Sequence, residues 1–232
     1  MTELRVLITG GGRGIGRAIA LRFAREGAKV AIAARTSSEL DSVVAEINKA
    51  GGQGCPLQMD VTEHGSVEGA VYRALQFTGG TLDVLVNNAG AFEVKNFEQM
   101  NLPVWHKMID VNLTGAFYVT LEALDGLLES DKPHVFNVAS VAARQGFPGN
   151  TAYCAAKYGL RGFSDGLRID LAPKKVRVST VYPGPTDTKM LEALTGFDRS
   201  KALKPEAVAD VVWNAYASAL GTPVDDLDVP AR

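Results

Sequence analysis

Residues 4–25 read Leu4-Arg5-Val6-Leu7-Ile8-Thr9-Gly10-Gly11-Gly12-Arg13-Gly14-Ile15-Gly16-Arg17-Ala18-Ile19-Ala20-Leu21-Arg22-Phe23-Ala24-Arg25. A short apolar run leads straight into a glycine-rich turn, after which Ala18, Ile19 and Phe23 recur at helical spacing. Strand, glycine turn and helix in this order form the first unit of a doubly wound sheet that holds a dinucleotide phosphate. The chemistry requires close approach. Without Cβ atoms the backbone turns sharply and brings its N–H groups against a pyrophosphate, and the following helix aims its positive end at the same point.

The spacing narrows the reading. The G-x-G-x-x-G fingerprint fails, because Gly10 and Gly12 require a third glycine where Ile15 stands. A P-loop requires Lys and Ser or Thr after Gly16, and the chain has Arg17 and Ala18. Thr-Gly-x-x-x-Gly-x-Gly fits from Thr9 to Gly16.

The chain has 232 residues, enough for one α/β domain with a sizeable core. Hydrophobic residues make up 46% and charged residues 22%, as in soluble globular proteins. A net charge of −2 argues against a nucleic-acid partner or a basic membrane-binding face. Cys55 and Cys154 stand far apart, which points to a reducing, cytoplasmic setting without a zinc or redox motif. The N-terminus shows no secretory signal, and no apolar run reaches the ~18 residues of a membrane helix.

Strand and helix patterns alternate along the chain. Strands are expected at Lys29–Ala33, Cys55–Met59, Leu82–Asn87, His134–Val138, Val176–Tyr182 and Leu227–Val229. Helices are expected from Thr36, with Thr36…Glu39 and Ser38…Asp41 at capping-box spacing, and at Glu63–Phe77, Val104–Glu129, Ala152–Asp170 and Pro205–Leu220. The pattern predicts a single Rossmann-type domain over 1–232, with about seven parallel strands and helices on both faces. Residues 186–204 follow a strand's carboxyl end, where ligands bind in such sheets, and are expected to form a substrate-binding loop or lid.

The polar clusters fall at strand carboxyl ends, so one crevice would collect them. Tyr153 and Lys157 are four apart in a helical stretch and share a face. An ammonium beside a phenol favours the phenolate, so the tyrosine pKa should fall from its usual ~10 and allow proton exchange with a carbonyl or alcohol. Ser140, ending the fifth strand, can donate to the substrate oxygen. Asn112 lies inside the long helix, where asparagine competes for backbone bonds; it marks either a local kink or a polar group held in the crevice. No metal-ligand spacing joins His64, His106 and His134.

With Asp60, Asn87-Asn88-Ala89-Gly90 and Pro183-Gly184 added in order, the chain resembles the short-chain dehydrogenase/reductase family from Leu4 to about Thr188. The resemblance implies a catalytic set of Asn112, Ser140, Tyr153 and Lys157. Tyr153 would be the acid/base, Ser140 would orient the carbonyl, Lys157 would hold the nicotinamide ribose, and Asn112 would hold a water of a proton relay. It further implies cofactor contacts from Gly10, Gly12, Gly14, Ile15 and Gly16, from Asp60 and Val61 at the adenine, and from Asn87, Ala89 and Gly90. Pro183 and Gly184, and Thr186 and Thr188 at the carboxamide, complete the implied contacts. A homodimer or homotetramer is also implied, although the tail Val224–Arg232 lacks the glycines with which many members build a tetramer.

The second strand ends Ala33-Ala34-Arg35-Thr36, with no acid for a ribose 2′-hydroxyl. Arg35 and Arg13 instead offer guanidinium groups suited to a 2′-phosphate, which points to NADP(H). The expected activity is hydride transfer between NADP(H) and a small carbonyl or secondary alcohol, as in carbonyl or 3-oxoacyl reductases. The alternative is a non-catalytic NADPH-binding regulator of the same fold. Phe147, Pro148, Met190, Leu191, Leu194 and Phe197 suggest a partly apolar substrate pocket.

Overall fold

The computed structural model describes residues 3–194, 196–218 and 224–231. Strand β1 (Arg5–Thr9) leads into α1 (Gly14–Ala24), β2 (Lys29–Ala34), α2 (Ser37–Lys49), β3 (Gln53–Gln58), α3 (His64–Thr78) and β4 (Val84–Asn87). Then come α4 (Leu102–Ile109), α5 (Gly115–Leu128), β5 (His134–Val138), α6 (Thr151–Leu171), β6 (Arg177–Pro183), α7 (Pro205–Ala217) and β7 (Asp226–Val229). The strands form one sheet in the order β3-β2-β1-β4-β5-β6-β7, and every pairing is parallel. The family's expected architecture, a seven-stranded doubly wound Rossmann sheet, is therefore the one observed.

Side-chain alternation builds the two core layers. Val6 and Ile8 join α1 and α2 on one face of the sheet, while Leu7 between them joins α3 and α5 on the other. On the first face Phe23 of α1 is fully buried and meets Trp213 of α7 edge-on at 5.3 Å. Both faces are covered, so the central strands are buried along almost their whole length and mostly apolar. No helix among the described residues is long and apolar enough to cross a membrane.

Successive strands are added on one side of β1 up to β3 and on its other side from β4 onward, and this switch point between β1 and β4 opens a crevice at the strands' carboxyl ends. Thr9 pins its two lips together. Its Oγ1 accepts from the Asn88 and Ala89 N–H groups at 3.0 and 2.9 Å.

Three local expectations change. The helix expected to run from Val104 to Glu129 is interrupted by one wide π turn at Asp110–Thr114, where the Gly115 N–H reaches back to the Asp110 carbonyl. Asn112 lies in that turn, so its poor fit to a helix interior is resolved by local widening. Thr36 precedes α2 but makes no side-chain cap bond, and the Glu39 carboxylate, expected to reach back to it, is paired with Arg13 instead. Helix α7 is described to Ala217 with Ser218 at its cap, and the rest of its expected span lies outside the described residues.

Candidate active site

A cavity of about 1060 Å³ occupies the switch-point crevice. Its floor at one end is the glycine turn. Gly10 and Gly14 have φ of +65° and +56°, a conformation that favours glycine. A Cβ at Gly16 would collide with the Gly10 carbonyl oxygen and stand 2.6 Å from Asn88 Nδ2. Gly16 is thus a packing glycine behind the cavity wall, whereas Gly10, Gly12, Arg13, Gly14 and Ile15 face the cavity. Helix α1 begins with no side-chain cap and no acid in its first turn. Its leading N–H groups therefore remain available to an anion, which is what a pyrophosphate requires.

Arg35, Asp60 and Val61 line the same end of the cavity. Asp60 Oδ1 is already occupied by the Thr62 N–H at 3.0 Å and the Thr62 hydroxyl at 2.8 Å, so it shapes the turn after β3. Ala89 and Gly90 line the crevice beside β4, but Asn87 does not. Its Nδ2 donates to Thr120 Oγ1 at 2.8 Å and Asn137 Oδ1 at 2.9 Å, and Asn137 in turn donates to Ser164 on α6 at 2.8 Å. Strand alternation turns Asn87 into the layer beneath, where it ties β4 and β5 to α5 and α6. Asn88 takes the place at the cavity and donates to the Thr9 and Gly10 carbonyls at 2.9 and 3.3 Å.

Ser140, Tyr153 and Lys157 meet in the middle of the cavity. The Lys157 ammonium donates to the Val138 carbonyl at 2.9 Å and lies 5.7 Å from the centre of the Tyr153 ring. Ser140 stands beside the Tyr153 phenol, near enough to pull its pKa down, and its Oγ accepts from the Ala142 N–H at 3.1 Å. Phe92, which the sequence reading passed over, packs edge-on against Tyr153 at 4.8 Å and holds the ring in place. Asn112 is buried behind this group. Its Nδ2 donates to the Ala91 and Met108 carbonyls, both at 2.9 Å, and its Oδ1 accepts from the Ala91 N–H at 3.3 Å. It fastens the loop after β4 to the π turn.

The expected fall in the Tyr153 pKa does not occur. Burial pushes the phenol up to about 12, outweighing the hydrogen bond from Ser140 that pulls it down. The same burial lowers the Lys157 ammonium to about 8. Desolvation disfavours both charged forms and is the largest cause for each.

Pro183 and Gly184 end β6 at the cavity edge. Thr186 is buried and donates its hydroxyl to the Gly184 carbonyl at 2.9 Å, whereas the Thr188 methyl lies over Gly14, 3.0 Å from where a Cβ would be. The segment that follows is closed at its base. Asp187 N–H donates to the Leu203 carbonyl and Leu203 N–H to the Pro185 carbonyl, both at 2.8 Å, and the Asp187 carboxylate holds Arg199 at 2.7 Å and Lys204 at 3.3 Å. From it Met190, Leu191, Leu194 and Phe197 face the cavity opposite Phe147 and Pro148, so this end is apolar.

The family model for short chain dehydrogenases matches residues 5–198, and the chain belongs to the short-chain dehydrogenase/reductase family. It is 32% identical over 229 residues to an uncharacterized oxidoreductase of Staphylococcus aureus strain USA300, covering 99% of this chain and 97% of the relative. Its fold is similar to that of an alcohol dehydrogenase from the archaeon Thermococcus sibiricus solved with 5-hydroxy-NADP, at a TM-score of 0.91 and 29% identity over 99% of this chain and 97% of that one. It is also similar to a metagenomic short-chain oxidoreductase in complex with NADP, with a TM-score of 0.85 and 29% identity over 98% and 97% of the two chains. The protein is thus an oxidoreductase of this family.

Proposed function

We propose that this protein is an NADP-dependent carbonyl reductase or alcohol dehydrogenase in which Tyr153 transfers the proton. The observation that carries the reading is the meeting of Tyr153, Ser140 and Lys157 within one cavity whose far end is the glycine turn with its uncapped helix. The two NADP-containing neighbours support the cofactor assignment, as do Arg13 and Arg35 at the cavity's adenosine end. Bound there, NADPH supplies the hydride.

The side chains supply orientation and the proton. A carbonyl oxygen within reach of Ser140 and Tyr153 receives a hydrogen bond from each hydroxyl. A phenol with a pKa of about 12 is protonated at neutral pH, the state needed to protonate the oxygen during reduction. Lys157, lowered to about 8, is still mostly an ammonium at pH 7 and stabilises the phenolate left behind. The apolar far end, with Phe147, Leu194 and Phe197, favours an uncharged carbonyl substituent and excludes water. The loop over 186–204 serves as the lid.

Exposed apolar side chains on α5 and α6, Phe117, Leu121, Tyr158 and Ile169, support a homodimer or homotetramer. The activity is tested by following NADPH absorbance against ketones, aldehydes and oxoacyl thioesters, with Tyr153→Phe as control. Saturable oxidation of NADPH that the variant lacks supports the reading. NADPH binding without turnover on any of them favours the regulator.

A further inference from the structure

The adenosine end of the cavity holds a carboxylate that a strand-end search misses. Glu39 lies in the first turn of α2, two residues into the helix. The fold brings it back over the glycine turn, where its Oε1 accepts from Arg13 Nη1 at 3.0 Å. Gly12 makes room for it, since a Cβ there would stand 3.1 Å from Glu39 Cβ and 3.4 Å from its Oε2. Glu39 lines the same cavity as Arg13, Arg35 and Thr36. Arg35, by contrast, has no ion-pair partner among the described residues and is exposed beside it. Of the two guanidinium groups facing this end, one is therefore open to a phosphate and the other is already paired.

We propose that Glu39 sets the cofactor selectivity of this chain, an inference that rests on the cavity being a nicotinamide-dinucleotide site. A 2′-phosphate must draw Arg13 away from Glu39 and sit close to a carboxylate of like charge, so both effects weaken NADP(H). A ribose with a free 2′-hydroxyl leaves the Arg13–Glu39 pair intact and can donate to the carboxylate, which accepts as the acid of an NAD site does. The preference for NADPH over NADH is accordingly smaller than the two arginines alone would give, with Arg35 favouring the phosphate and Glu39 opposing it.

Direct binding tests this without a known substrate. NADPH and NADH are titrated by fluorescence into wild type, Glu39→Gln, Arg13→Ala and the double variant, with thermal melting to verify folding. Glu39→Gln should tighten NADPH about tenfold and weaken NADH, the range expected when a charged hydrogen-bond competitor is removed. In the Arg13→Ala background the gain for NADPH should shrink, because no guanidinium is left to release. Should Glu39→Gln misfold, Glu39→Ala carries the same expectation. An NADPH/NADH affinity ratio that moves less than about twofold overturns the role of Glu39 while leaving the cofactor reading intact. Wild type that binds neither dinucleotide overturns both.

Discussion

The Lys157 ammonium donates to the Val138 carbonyl at 2.9 Å and is almost wholly buried. The helix carrying Tyr153 is thereby tied to the end of β5, two residues before Ser140, so that the Tyr153 and Ser140 hydroxyls are placed by one contact. The same burial lowers Lys157 to about 8. An unfolded lysine has its ordinary pKa of about 10.4, so between pH 8 and pH 10 the unfolded chain binds more protons than the folded one. Stability from this group therefore rises as pH rises through that window. The denaturation midpoint of wild type should gain on that of Lys157→Met between pH 7.5 and 9.5. A constant difference between the two curves would show that Lys157 is not desolvated as described.

Tyr153→Phe removes the hydroxyl but keeps the ring against Phe92. It should fold, bind NADPH with little change and lose about 10²–10⁴-fold in kcat, the range for a lost general acid. Because the phenol is held near 12, reduction should hold at neutral pH and decline as Lys157 deprotonates above about 8. Alcohol oxidation, which needs the phenolate, should rise towards alkaline pH. A variant that retains turnover would remove Tyr153 from the proton path.

Arg35 has no ion-pair partner among the described residues, and in the proposed reading it meets the 2′-phosphate. Arg35→Asp should lower kcat/KM for NADPH about tenfold or more, as loss of a charge-assisted contact predicts, and raise the relative use of NADH. Steady-state kinetics with both cofactors reads this directly, and an unchanged ratio would rule out phosphate reading by Arg35.

Gly16→Ala places a methyl group against the Gly10 carbonyl and Asn88. The turn must open, at a cost on the order of 1–3 kcal/mol, typical of overpacking. Urea unfolding should show that loss together with weakened NADPH binding. At Gly65 nothing lies within 4 Å of the added Cβ, so Gly65→Ala should do neither.

Arg144 lies 3.8 Å over the Tyr182 ring and bridges Asp226 at 3.0 Å and Asp228 at 2.8 Å on β7. It clamps the segment after Ser140 to the sheet edge. Arg144→Ala should cost about 1–2 kcal/mol, from a cation–π contact and two partly exposed ion pairs. If the clamp also positions Ser140, kcat falls more than KM rises, and Arg144→Lys restores part of it.

Much of this protein is legible locally. The order of strand, glycine turn and helix, the apolar run of β1 and the i, i+4 spacing of Tyr153 and Lys157 are short-range properties, and together they lead to the observed fold and to the meeting of these residues in one cavity. Asn112 was marked by its misfit to a helix, and a π turn lies there. Other features depend on contacts between distant segments. Asn87 turns beneath the sheet while Asn88 faces the cavity, because packing against Thr120 and Asn137 chooses the side.

The sequence by itself determined the doubly wound sheet, the glycine turn after β1 and the face shared by Tyr153 and Lys157, because periodicity and glycine placement express backbone sterics directly. Only the tertiary structure decided the sign of the Tyr153 shift and the presence of a carboxylate beside Arg13. The first depends on desolvation, a property of everything packed around the phenol. The second depends on α2 folding back over a glycine 27 residues before Glu39 in the chain.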